Sequence, residues 1–160
     1  GFRNYIGNSD GRDAAEALIE KADLLNLTAP EMTVLIGGLR AMGVSHDGLT
    51  QGFTPNAGAL NQDFFTSLLD MKVEWRQSPD DPRVYEGLNR GTGNIDRKAS
   101  AVDLIFGSNS QLRGLAEVYA ADDATEKFIV DFIAAWDKVM SLDRFDLDAK
   151  RTNEVIAKAK

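Results

Sequence analysis

Cysteine is absent from this 160-residue chain, and histidine occurs once, at His46. The first absence excludes a disulfide framework and thiol chemistry, and fits a reducing, cytoplasmic compartment. The second leaves a structural zinc site without partners, since such a site needs several His or Cys ligands. Basic residues are the scarcer charge, 18 Lys and Arg against 25 Asp and Glu, for a net charge of −7. A nucleic acid or an anionic membrane needs a basic face, so neither is an expected partner. No apolar run approaches the roughly 20 residues that span a bilayer. No signal-peptide pattern stands at the start, and the first residue is Gly1 rather than Met, which reads as a fragment or a processed product.

What is present is helical punctuation. In TAPEMTVLIGGLRAMG, Thr28 and Glu31 have the spacing of a capping box, and Pro30 falls in the first turn, where its missing N–H costs nothing. Met32, Leu35, Ile36, Leu39 and Met42 then follow the 3–4 spacing of a buried face, and Gly43 is placed to end the helix. Gly37-Gly38 costs about 1 kcal/mol per residue against Ala, so the pair predicts a backbone or a flat group lying close by. A shorter helix is expected over Asp13 to Leu25, and another from an Asn61 cap to about Leu69. Further capping boxes are read at Ser108–Gln111 and at Asp123–Glu126. The latter opens the longest helix, Ala124 to Met140, where Phe128, Phe132, Trp136 and Met140 recur at i,i+4 and are read as a core stripe with Trp136 as an anchor.

Two stretches break this pattern. Val44 to Ala59 is glycine-rich and aperiodic, a predicted surface loop. Between Lys72 and Ala99, KVEWRQ and RVYEGLN flank SPDDP, and RGTGN supplies another turn, so one or two short hairpins are expected. The last residues, DAKRTNEVIAKAK, are charged with a thin apolar stripe and read as a frayed terminal helix. The residues taken alone present no evident active site. Ser45, His46 and Asp47 are contiguous, whereas triads assemble from separate elements. Asp80, Asp81, Asp122 and Asp123 look like turn and cap residues. GLNRGTG has neither the preceding buried strand nor the following helix of a phosphate loop.

The blocks LTAPEMTVLIGGLRAMG, NQDFFTSLLDMKVEW and VDLIFGSNSQLRGLAEVYAADDATEKFIVDFIAAWDKVMSLDRFDL, with the opening GFRNY, resemble the C-terminal half of bacterial and fungal catalase-peroxidases from Gly1 to about Leu147. The resemblance implies an all-α fold, the proximal half of a haem-dependent-peroxidase-like helical domain with a minor β hairpin. Residues 1–147 would be part of a C-terminal catalase-peroxidase-like domain, and 148–160 a charged extension that departs from the family's usual ending.

The resemblance also carries an expectation about the site. The family's haem domain has a helix of pattern E-x-x-x-L-I-x-G-G-H-x-x-G whose histidine ligates iron. Glu31, Leu35, Ile36, Gly37 and Gly43 keep much of that frame, while Arg40 occupies the histidine position. An always-protonated guanidinium has no lone pair to offer iron. Asp103 resembles the aspartate that orients the proximal histidine, and is expected to face Arg40 in an ion pair. The proximal tryptophan has no clear counterpart, and the distal residues have no place in the chain. No catalytic, cofactor-binding or metal-binding residue is therefore assigned. The implied role is non-catalytic support for a parent enzyme that holds haem b in its N-terminal domain and removes hydrogen peroxide by catalase and peroxidase reactions. The implied partners are that haem-bearing domain, the missing first half of the C-terminal domain, and a second subunit of a homodimer. The alternatives are a stand-alone helical interaction module, or a residual haem- or small-molecule site between helices.

Overall fold

The computed structural model describes residues 14–45, 53–54 and 57–144. His46, Asp13 and the 148–160 extension lie outside the described residues. In chain order the elements are α1 (Ala14–Leu24), α2 (Ala29–Ala41), α3 (Asp63–Leu68), β1 (Val73–Gln77), β2 (Val84–Asn89), β3 (Ile95–Ser100), α4 (Ala101–Ser108), α5 (Ser110–Ala120) and α6 (Thr125–Met140). No helix among the described residues is long and apolar enough to cross a membrane.

Helix α2 is the centre of the packing, lying against α6, α3 and α5. Its start follows from sequence: the Glu31 amide donates to Thr28 Oγ1 at 3.4 Å, and Glu31 Oε2 accepts from the Thr28 amide at 2.7 Å. Its end is a Schellman motif. Gly43 takes a φ of +80°, the Val44 amide reaches back to the Leu39 carbonyl and the Gly43 amide to that of Arg40. Helix α1 closes in the same way, with Asn26 at φ +52° in glycine's role. The Leu27 amide there bonds the Ala22 carbonyl, and the chain turns directly into the Thr28 cap.

The Gly37-Gly38 pair receives flat groups, as its cost predicts. A Cβ on Gly37 would stand 2.3 Å from Phe65 Cζ, and one on Gly38 would stand 2.3 Å from Phe132 Cδ2. Phe53, Phe64, Phe65, Phe106 and Phe128 are fully buried around these rings. Phe65 meets Phe128 edge-on at 5.5 Å, an arrangement that rings favour through their quadrupoles.

Several expectations are corrected. The minor β hairpin is a three-stranded antiparallel sheet in the order β1-β2-β3, with Trp75 opposite Gly87 and Tyr85 opposite Ala99. Strand β3, IDRKAS, buries only Ala99, so its sequence carries no apolar alternation that would announce a strand. The α5 cap is Asn109, whose Oδ1 accepts from the Gln111 and Leu112 amides at 3.1 Å each; Ser108 ends α4 instead. The α6 cap is Ala124, with no side-chain bond, rather than Asp123. Asn61 bonds the Asp63 amide at 3.0 Å, although the position preceding α3 is Gln62.

Trp136 is not a core anchor. Along α6 the exposure climbs from 0% at Phe128 to 6% at Phe132, 42% at Trp136 and 58% at Met140. The cause is helical geometry: four residues turn about 400°, so an i,i+4 series advances about 40° per step and walks off the buried face. Ala135, seven residues after Phe128, holds the core position and is buried.

Candidate functional site: the Arg40–Asp103 pair

Arg40 stands in the last turn of α2, and Asp103 in the first turn of α4. Sixty-three positions apart, they meet: Arg40 Nε donates to Asp103 Oδ1 at 2.7 Å. The carboxylate is sealed, with 1% of its side-chain surface exposed, and the guanidinium retains 13%. Arg40 Nη1 also donates to the Val44 carbonyl at 2.9 Å, which ties the side chain to the Schellman turn of its own helix.

The second oxygen of Asp103 has local work. Asp103 Oδ2 accepts from the Ser100 amide at 2.9 Å and from Ser100 Oγ at 2.8 Å, while the Asp103 amide donates to Ser100 Oγ at 3.3 Å. This is a capping box at the junction of β3 and α4. One carboxylate thus accepts three charge-assisted bonds and satisfies both a helix start and a tertiary cation. The Ser100–Asp103 box was legible as an S-x-x-D spacing, but Ser108–Gln111 is the pair that sequence reading selects in its place.

The same device recurs at the other end of α2. Glu31, the acid of the Thr28 box, accepts from Lys138 Nζ of α6 at 3.0 Å and 2.8 Å. Burial alone would raise the Glu31 pKa, but the Lys138 and Thr28 hydrogen bonds outweigh it and hold the carboxyl below its ordinary value. These side chains are more open, at 32% and 28% exposure. No sequence spacing announces Lys138 as a partner, because it lies 107 positions away.

Other polar groups are likewise engaged. Tyr119 Oη donates to Asp131 Oδ2 at 2.9 Å; burial, then this carboxylate, push the phenol pKa upward. Lys127 bonds the same oxygen, which holds Asp131 below the usual carboxylate range. Asp81 serves the turn before β2, accepting from the Arg83 amide and guanidinium, and its pKa is lowered to about 2. GLNRGTG lies on β2 and the turn into β3, with no helix to follow. Among the described residues, no group of three His, Cys, Asp or Glu side chains could hold a metal ion.

Arg40 itself does not fit the axial position of a haem. An axial ligand needs a free lone pair; Arg40 has none, and its Nε donates to Asp103 and its Nη1 to the Val44 carbonyl. The faces opened by Gly37 and Gly38 are filled by the rings of Phe65 and Phe132.

No protein-family model matches the chain. Among known proteins, it is 53% identical over 164 aligned positions to a catalase-peroxidase of Rhodopirellula baltica, covering all of this chain and 19% of that protein. It is 58% identical over 148 positions to a catalase-peroxidase of Azorhizobium caulinodans, covering 92% of this chain and 20% of the relative. With catalase-peroxidase 2 of Alkaliphilus metalliredigens it shares 58% over 149 positions, 92% of this chain and 35% of that protein. The first alignment includes residues 148–160, so the extension is matched in at least one relative. The chain spans about a fifth of the length of the first two relatives, and it is homologous to a segment of that size in the catalase-peroxidases.

Proposed function

We propose that this chain is the latter half of the haem-less C-terminal domain of a catalase-peroxidase, with the peroxidase-like proximal helices kept and the chemistry lost. The observation that carries the reading is the Arg40–Asp103 pair. Where the resemblance places an iron-ligating histidine and its orienting carboxylate, a guanidinium and a carboxylate neutralise each other in a nearly sealed site. The chain's role is then structural. It supports a cytoplasmic, homodimeric parent enzyme whose N-terminal domain holds haem b and removes hydrogen peroxide by catalase and peroxidase reactions.

The test is a titration of the 160-residue chain with haemin, followed in the Soret region, together with peroxide-consumption assays. The expected outcome is no saturable one-equivalent complex and no activity, in the parent sequence and in Arg40→His alike. A sharp one-equivalent haem spectrum that disappears in His46→Ala would overturn the reading.

A further inference from the structure

A cavity of about 260 Å³ opens where α3, β1, α4 and α5 come together. Its floor is apolar: Leu68 and Val73 are buried, and Leu69 and Leu104 are half-buried beside them. One wall is the indole of Trp75. That ring is held from two sides. It stacks on Phe53 with centroids 5.9 Å apart, and it crosses Gly87, where a Cβ would stand 3.1 Å from Trp75 Cζ3. Its Nε1 is buried and has no acceptor among the described residues. Buried donors are nearly always paired, so an unpaired one marks a wall that a further group completes. The mouth is cationic. Arg90, in the turn after β2, and Arg113, near the start of α5, both line the cavity with exposed side chains.

We propose that this cavity binds a small aromatic carboxylate, its ring seated on the leucines beside Trp75 and its carboxylate held at the mouth by Arg90 and Arg113. Size limits the ligand: the volume falls below the roughly 300–1,000 Å³ of sites for drug-sized molecules, which suits a single substituted ring and excludes a nucleotide. Charge sets its sign. Asp70 is the one carboxylate among the described lining residues, and it is engaged, accepting from Arg97 Nη2 and from the Lys72 amide at 3.0 Å each. It therefore offers little to a cation. The two arginines are occupied only in part. Arg90 Nη1 meets Glu74 at 2.9 Å, while Arg113 gives Nε to Glu117 at 2.9 Å and Nη1 to the Gly107 carbonyl at 3.1 Å. A guanidinium carries five N–H donors, so both keep donors for an incoming anion. Glu74 and Glu117 are themselves 58% and 56% exposed, and bridges that open to solvent are weak enough to share their cation. The guanidinium fork matches the two oxygens of a carboxylate, and a flat ring suits a wall made by an indole.

The probe is benzoate, with benzamide as a neutral control of nearly the same shape. Trp136→Phe removes the only other tryptophan of the chain, so the remaining indole emission reports on Trp75. Trp136 does not line this cavity. At constant ionic strength, benzoate is expected to change that emission saturably in the millimolar range, with benzamide about tenfold weaker. Arg90→Gln and Arg113→Gln alter exposed side chains, and each should weaken benzoate several-fold while leaving benzamide unchanged. No saturable change with benzoate, equal affinity for benzamide, or benzoate binding untouched when both arginines are replaced would each overturn the proposal. Arg40 and Asp103 do not line the cavity, so this titration and the one with haemin fail separately.

Discussion

At the scale of single residues, burial decides what each ion pair contributes. Arg40 and Asp103 are nearly sealed, so removing the cation strands a desolvated carboxylate. Arg40→Ala is expected to cost about 3–5 kcal/mol in urea denaturation. Asp103→Asn retains one acceptor oxygen, enough for the Ser100 bonds, and should cost less than Asp103→Ala. A loss below about 1 kcal/mol for Arg40→Ala would place the pair among exposed bridges. Glu31 and Lys138 are such a bridge, partly screened by solvent, and belong in that lower range. Their signature is pH dependence. The folded Glu31 carboxyl lies below its ordinary value, so its contribution is fully present above about pH 4.5 and is lost as pH falls through the folded pKa. Lys138→Met should flatten the stability–pH profile below about pH 4.5 and lower the neutral plateau by under about 1 kcal/mol. The Arg40–Asp103 contact was legible because two residues in strongly matched blocks had to meet. Lys138 was not, since a surface lysine on α6 carries no mark of the helix it faces.

At the scale of elements, what reads well is whatever a local rule determines. The Thr28 box, the Gly43 turn and the Gly37-Gly38 close approach each follow from one or two residues, and each is found. The errors come from competition between local rules, or from a rule extended too far. Asn109 outcompetes Ser108 because its carboxamide oxygen reaches two free amides. The α6 stripe fails at Trp136 because an i,i+4 rule holds for one or two turns and then drifts. Strand β3 is invisible because its side chains are anchored by charge; Arg97 donates to the Ser67 carbonyl at 2.8 Å and to Asp70 at 3.0 Å. The glycine pair gives a test in which two effects have opposite signs. Helix propensity alone predicts that Gly37→Ala stabilises by about 1 kcal/mol. The new methyl would strike the fully buried Phe65 ring, and overpacking of that kind costs about 1–3 kcal/mol. The net expectation is a loss in chemical denaturation, and a gain would show that the ring yields.

At the scale of the whole molecule, one carboxylate joins parts of the chain that are otherwise distant. Asp103 holds the first turn of α4 through Ser100 and the last turn of α2 through Arg40. Neither end can be released without exposing the charge that serves the other. The two junctions should therefore exchange their amide hydrogens as a single cooperative unit, although more than fifty residues separate them in sequence. In native-state hydrogen exchange, the amides of Val44 and Asp103 are expected to share one opening free energy and one denaturant dependence. Arg40→Ala should split them, leaving the α4 start protected by its own cap while the α2 end frays.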